Sequence, residues 1–316
     1  MNLSIIIPLL NEEESLEELF ARINSVCKTA NLSYEIWFID DGSTDLSWSI
    51  IENLKVQFPQ IHGIKFSRNY GKSQALHAAF EKAIGDVIIT MDADLQDFPE
   101  EIPELYEMVK LGNYDIVSGW KKKRFDNVMT KNIPSKLFNA AARKLSGVEL
   151  HDFNCGLKAY KKQVVKSIDV YGDMHRYIPV LAANAGFRRI TEKEVQHQAR
   201  PYGTSKFGTE RFVRGFLDLI TLWFVSRFGG RPMHFFVSVG TLMFIVGFLS
   251  AFWLGISKLI DVSHGIYGHL LTNNAWFFIA LTMMVLGTLL FIAGFLGEMI
   301  IRTNRDHKNY HIDEII

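Results

Sequence analysis

The chain has 316 residues, 34 basic against 34 acidic side chains, 48% hydrophobic content and two cysteines, Cys27 and Cys155. That length holds one large or two ordinary domains, and zero net charge argues against bulk affinity for nucleic acid. Two cysteines cannot make a disulfide framework and fit a reducing compartment; 22% charged residues are too many for a polytopic carrier, and the hydrophobic share excludes disorder.

Read in chain order, LSIIIPLL is a buried strand. Asn11 is then placed to cap a helix opening with Glu12, Glu13 and Glu14, whose charges suit its positive end. No basic-then-apolar leader precedes this strand, so the first domain is expected to stay in the cytosol. YEIWFIDDG reads as a second strand ending in acids, GIKFSRN as a third, DVIITMDAD as a fourth that also ends in acids, and DIVSGW as a fifth. Helical stretches such as SQALHAAFEKAIG lie between them. The alternation predicts an α/β domain with a mostly parallel sheet covered on both faces. Ligands of such sheets sit at the carboxyl ends of the strands, where the acids fall.

Further on, residues 207–230 mix Phe212, Phe216, Trp223 and Phe224 with Arg211, Arg214 and Arg227, the composition of an amphipathic helix in the headgroup region. Between Arg231 and Lys258, and again between Asp261 and Glu298, there is no charged residue. Each stretch supplies the roughly 20 apolar residues of a membrane span. The spans are expected at about 233–257 and 275–298, with Gly240, Gly247 and Ser250 on one and Gly287 and Gly294 on the other for close contact. Arg227, Arg231, Arg302, Arg305 and Lys308 flank the pair, whereas the connecting loop holds only Lys258 and Asp261. The positive-inside bias puts the first domain and the tail, residues 302–316, in the cytoplasm.

Asp92-Ala93-Asp94-Leu95-Gln96 closes the run VIIT. Two carboxylates two residues apart, with a further oxygen at Gln96, suit a hard divalent cation shared with a diphosphate. Unpaired acids after a buried strand are costly unless they bind something. The second cluster, Asp40 to Asp45, follows another strand. An acid there can accept from a base imide or a ribose hydroxyl; it can equally form an Asx turn with a helix cap at Ser43 or Thr44.

Together, PLLNE at 8–12, DDGSTD at 40–45, SRNYGKSQAL at 67–76 and MDADLQDFPE at 91–100 resemble the family 2 glycosyltransferases of GT-A fold. DFNCGLKAY at 152–160, His175-Arg176-Tyr177 and RPYGTSKF at 200–207 narrow the resemblance to the polyprenyl-phosphate type, over nearly the whole chain. The resemblance implies nucleotide-sugar contacts from Pro8, Leu10, Glu12, Ile39, Asp41, Asp92, Ala93, Asp94, Lys121, Arg200 and Lys206. It implies Mg2+ or Mn2+ on Asp92, Asp94 and Gln96, and catalytic roles for Asp94 and Asp152. Arg124, His175 and Arg176 become candidates for the lipid phosphate. At Lys121 the family often has arginine, so charge is kept while the bidentate fork is lost.

The expected organisation is a cytosolic GT-A catalytic domain over 1–206, the interfacial helix, two spans within 231–301 and a cytosolic tail. The expected protein sits in the bacterial inner membrane, with a homo-oligomer allowed. Its reaction is inverting transfer of a sugar, UDP-linked in the first instance, to undecaprenyl phosphate, supplying lipid-linked sugar for cell-envelope glycans. The alternative is a membrane-anchored nucleotide-sugar-binding assembly module without turnover. A processive synthase would need more spans and a Q-x-x-R-W segment, and two spans cannot enclose a transport path.

Overall fold

β1 (Leu3–Leu9) and β2 (Tyr34–Asp40) are apolar along almost their whole length, and every residue of β2 is buried. Such runs suit strands covered on both faces. The computed structural model describes residues 1–122, 139–140, 143, 146–170, 172, 174–198, 200–202, 224, 228, 232–265, 270–303 and 310–316. Further strands are β3 (Ile61–Phe66), β4 (Val87–Thr90), β5 (Ile116–Trp120), β6 (Lys158–Lys161), β7 (Ile190–Glu194) and β8 (Ile312–Ile315). All eight form one sheet in the order β7-β5-β6-β4-β1-β2-β3-β8. β1 lies parallel between β2 and β4, β3 parallel beside β2, and β7 parallel beside β5. β6 runs antiparallel between β4 and β5, and β8 antiparallel along β3. The five expected strands are present, in a mixed sheet whose central strands are parallel.

Successive side chains along a strand point to opposite faces, and the core divides accordingly. Ile5, Ile7 and Phe38 pack with α1 (Leu16–Thr29), α2 (Ser47–Gln57) and α4 (Ile102–Lys110) through Leu19, Ile23, Ile51 and Leu105. Ile6, Ile39 and Ile64 pack on the other face with α3 (Lys72–Lys82), α5 (Lys162–Ser167) and α6 (Ile178–Asn184), through Ala75, Ala79, Val164 and Ile178.

Asn11 does not cap a helix. It takes a left-handed φ of 54°, which asparagine tolerates, and its side-chain oxygen accepts the Thr44 N–H at 2.8 Å. Its own N–H donates to Ser43 Oγ at 2.9 Å. Asn11 thus ties two strand ends together, and α1 starts only at Leu16, with Glu17 and Glu18 in its first turn. Nor do Ser43 and Thr44 open a helix, since α2 begins at Ser47.

The tail extends the sheet unit beyond residue 206: His307–Ile316 belongs with Met1–Ser226. Ile316 and Gly63 exchange backbone hydrogen bonds of 3.0 Å, and Trp48 Nε1 donates to Glu314 at 3.1 Å. Tyr310 stacks on Phe66 with ring centres 5.1 Å apart.

The second unit, Arg227–Asp306, contains α7 (Pro232–Ser263) and α8 (Ala275–Thr303). Met233–Ser263 and Ala275–Ile300 are each long and apolar enough to cross a membrane. Large apolar side chains such as Leu242, Phe252, Trp253, Trp276 and Leu289 are mostly exposed along them. That is costly in water and natural in hydrocarbon. The glycines lie on the shared face: a Cβ on Gly240 would stand 2.6 Å from the Gly287 carbonyl oxygen, and one on Gly247 2.6 Å from that of Ala280. α7 runs past the expected limit at 257 to Ser263, because the two charges at its end do not interrupt a backbone hydrogen-bond ladder. Apart from Phe224 and Phe228, residues 207–230 lie outside the described residues.

Candidate active site

The turns leaving β1, β2 and β4 sit at the carboxyl ends of three adjacent parallel strands. Pro8 of β1 is in register with Ile39 of β2. Ile39 and Ala93 are buried in the core.

After β2 the acids are held by main chain. Asp40 Oδ1 accepts the N–H of Ser43, three residues on, at 2.8 Å. Asp41 accepts the Tyr70 N–H at 2.7 Å and the Gly71 N–H at 2.9 Å, one on each oxygen. Burial pushes its pKa up to about 6 against the pull of those two donors. Gly42 has φ +78°, and a Cβ there would lie 2.5 Å from the Arg68 carbonyl carbon, so the turn and the loop at 67–71 fit together only around a glycine.

After β4 the acids are held by cations. Asp92, a third of whose side chain is exposed, pairs with the Lys72 ammonium at the start of α3. Burial opposes its charge, but Lys72, Lys121 and Lys158 outweigh that and hold its pKa near 2. Asp94 accepts from Arg200 Nη2 at 2.7 Å, and the same guanidinium stands 3.5 Å from Glu12. Asp94 Oδ1 also accepts the Gln96 N–H at 3.2 Å. The fold therefore brings Glu12, Asp94, Gln96 and Arg200 together from three distant segments, with Asp92 beside them on Lys72.

Behind this turn Lys121 makes a 2.6 Å ion pair with Asp97, both side chains almost inaccessible. Burial works against the Lys121 charge, yet Asp97, Cys155 and Asp92 raise its pKa. Its ammonium thus has a carboxylate partner within the protein. Asp152 is 2% exposed, and its Oδ1 accepts the Asn154 N–H at 3.0 Å. His175 Nδ1 lies 3.1 Å from Ser73 Oγ, and burial, with Lys72, Arg176 and Lys158 nearby, pushes its pKa well below the usual value. Arg176 follows His175 in the short helix Met174–Tyr177. Lys206 and Arg124 lie outside the described residues.

Lys72, Asp97 and Lys158 were not singled out in sequence. Lys72 carried one signal: a lysine in the first turn of a helix opposes the helix dipole and so needs another reason to be there.

Among the described residues, no three His, Cys, Asp or Glu side chains converge as a metal cluster. Asp92 and Asp94 offer carboxylate oxygens, the donor type for Mg2+ or Mn2+. Such a cation fits here when diphosphate and water complete its shell.

Solved structures of glucosyl-3-phosphoglycerate synthase from Mycobacterium tuberculosis, including one with Mn2+, UDP and glucosyl-3-phosphoglycerate, superpose with a TM-score of 0.54 at 17% identity. The match covers 71% of this chain and 79% of that one. The sheet unit is therefore of the GT-A class, here followed by two apolar helices. The family description "Glycosyl transferase family 2" matches residues 4–169. The chain is 32% identical to the dodecaprenyl-phosphate galacturonate synthase of Rhizobium johnstonii, over 96% of its own length and 88% of the relative's. It is 34% identical to the undecaprenyl-phosphate 4-deoxy-4-formamido-L-arabinose transferase of Aeromonas hydrophila, over 99% and 93%, and 37% to that of Pseudomonas fluorescens, over 81% and 73%. The protein belongs to glycosyl transferase family 2 and is a glycosyltransferase.

Proposed function

We propose that the protein transfers a sugar from a nucleoside diphosphate, UDP in the first instance, to polyprenyl phosphate at the cytoplasmic face of the bacterial inner membrane, inverting the anomeric centre. The observation that carries this reading is similarity to polyprenyl-phosphate sugar transferases over 96% and 99% of the chain, hairpin included.

The acceptor phosphate is anionic at neutral pH and attacks without a strong general base. Asp92, Asp94 and Gln96 would hold a divalent cation, which when bound offsets charge developing on the leaving diphosphate. Arg200, bridging Asp94 and Glu12, sets a guanidinium beside the same oxygens, and Lys206 and Lys121 belong to this donor side. Asp152 orients the sugar or the acceptor. Arg124 and Arg176 bind the lipid phosphate as cations, and His175 offers it a ring N–H. Tethering to the bilayer confines enzyme and acceptor to one plane and raises their effective concentration.

Residues before α7 and after α8 build one sheet, so a membrane crossed by these helices is crossed an even number of times. With the basic flanks, this supports a cytosolic sheet unit. A cysteine at Thr272, between the helices, is expected to react with an impermeant maleimide in intact cells, and one at Asp313 is not. The reverse pattern would remove the cytosolic assignment.

The deciding experiment incubates membranes with undecaprenyl phosphate and a panel of radiolabelled nucleotide sugars. One donor is expected to give lipid-linked product. Donor binding with no product from any sugar would favour the assembly module instead.

A further inference from the structure

Gly156 leaves no room for a side chain. A Cβ built on it would stand 2.3 Å from Asp92 Oδ2, 2.5 Å from Cγ and 2.7 Å from Oδ1, the three nearest heavy atoms. Its φ lies outside the left-handed region, so contact with Asp92, and not backbone conformation, requires the glycine here.

The loop carrying Gly156 is fastened on two sides. Thr90 Oγ1, at the end of β4, donates to the Gly156 carbonyl at 2.8 Å. Lys158 is in register with Thr90 on the neighbouring strand and is 3% exposed. Its ammonium donates to the Phe153 carbonyl at 3.1 Å and to the Cys155 carbonyl. Burying an ammonium carries a large desolvation penalty, which these carbonyls offset only while the loop keeps this path. Lys158 therefore acts as a post around which residues 153–156 are wound, against the strand that delivers Asp92.

We propose that Gly156 and Lys158 are positioning residues for Asp92: the lysine fixes the loop, and the bare Cα of the glycine sets where the Asp92 carboxylate stands toward a divalent cation and the donor diphosphate. The proposal rests on the reading of Asp92 as a metal-holding acid.

The test uses the full chain in detergent, with Mn2+ titrated in the presence of UDP and free Mn2+ read by electron paramagnetic resonance. Gly156→Ala is expected to lose about 10- to 100-fold in Mn2+ affinity, the range for residues that orient a metal ligand, while its melting temperature stays near that of the wild type. Lys158→Met should weaken Mn2+ in the same direction. Added to Asp92→Ala, the Gly156→Ala change should have no further effect. If the wild type takes up no Mn2+ with UDP, the metal reading of Asp92 falls and the positioning role with it. If the wild type binds and Gly156→Ala binds equally well, the positioning role alone is overturned. Should Gly156→Ala fail to fold, recovery of its melting transition in Gly156→Ala/Asp92→Ala supports the contact, and no recovery overturns it.

Discussion

The turns after β2 and β4 look alike in sequence, each a strand running into paired acids, yet they hold their charges by different means. Asp41 spends both oxygens on main-chain N–H groups that belong to the fold itself. Asp92 and Asp94 are held by the side-chain cations of Lys72 and Arg200. A backbone donor cannot leave without unfolding something. A lysine or arginine can swing away and be replaced by another cation or by a phosphate-bound metal. The first turn is therefore built to stay as it is, and the second to exchange partners.

The comparison breaks most visibly at Asp94. Asp94→Asn is expected to abolish transfer, a loss of several kcal/mol in the chemical step, with folding little changed. Wild-type turnover by that variant, or in excess EDTA, would place both turns in the structural class. Arg200→Ala should weaken donor binding by up to about 2 to 5 kcal/mol, since it removes the guanidinium that pairs with Asp94 and Glu12. Calorimetry with UDP checks this, and unchanged affinity would detach Arg200 from the nucleotide.

Asp41→Ala should act on folding: two half-buried N–H groups lose their acceptor, at up to about 1 to 3 kcal/mol each, lowering the denaturation midpoint. The same residue gives a pH signature. Its folded pKa of about 6 lies above the usual 3.8, so across that window the folded chain binds more protons than the unfolded one. Stability falls as pH rises from about 4 to about 6 and then levels off. Denaturation curves at several pH values should show a shallower fall in Asp41→Ala. An identical slope would assign the pH dependence to other groups.

Much of this was legible in the sequence because the signals are local. Apolar runs ending in acids marked β1, β2 and β4 and the edge where the site sits, and two uncharged stretches marked α7 and α8. Pairings across long separations were not. Nothing near Asp92 announces Lys72, and nothing near Asp94 announces Arg200, 106 positions away. The acidic reading of Glu12 to Glu14 as a helix start failed because Asn11 had a better use for its amide in joining two turns. β8 was missed for a related reason. Ile312–Ile315, sequence IDEI, has little strand character of its own and becomes a strand because β3 offers an open edge.

That edge has a consequence for the order of synthesis. Trp48 and Glu314 are bonded across 266 positions, and the residues that close β3 leave the ribosome only after α7 and α8. At about 5 to 20 residues per second, β3 stays open for roughly ten to fifty seconds after it is made. An unpaired strand edge is a template for joining another chain. The sheet is thus completed only after both apolar helices have been made, and a chain that stops before β8 keeps its adhesive edge exposed.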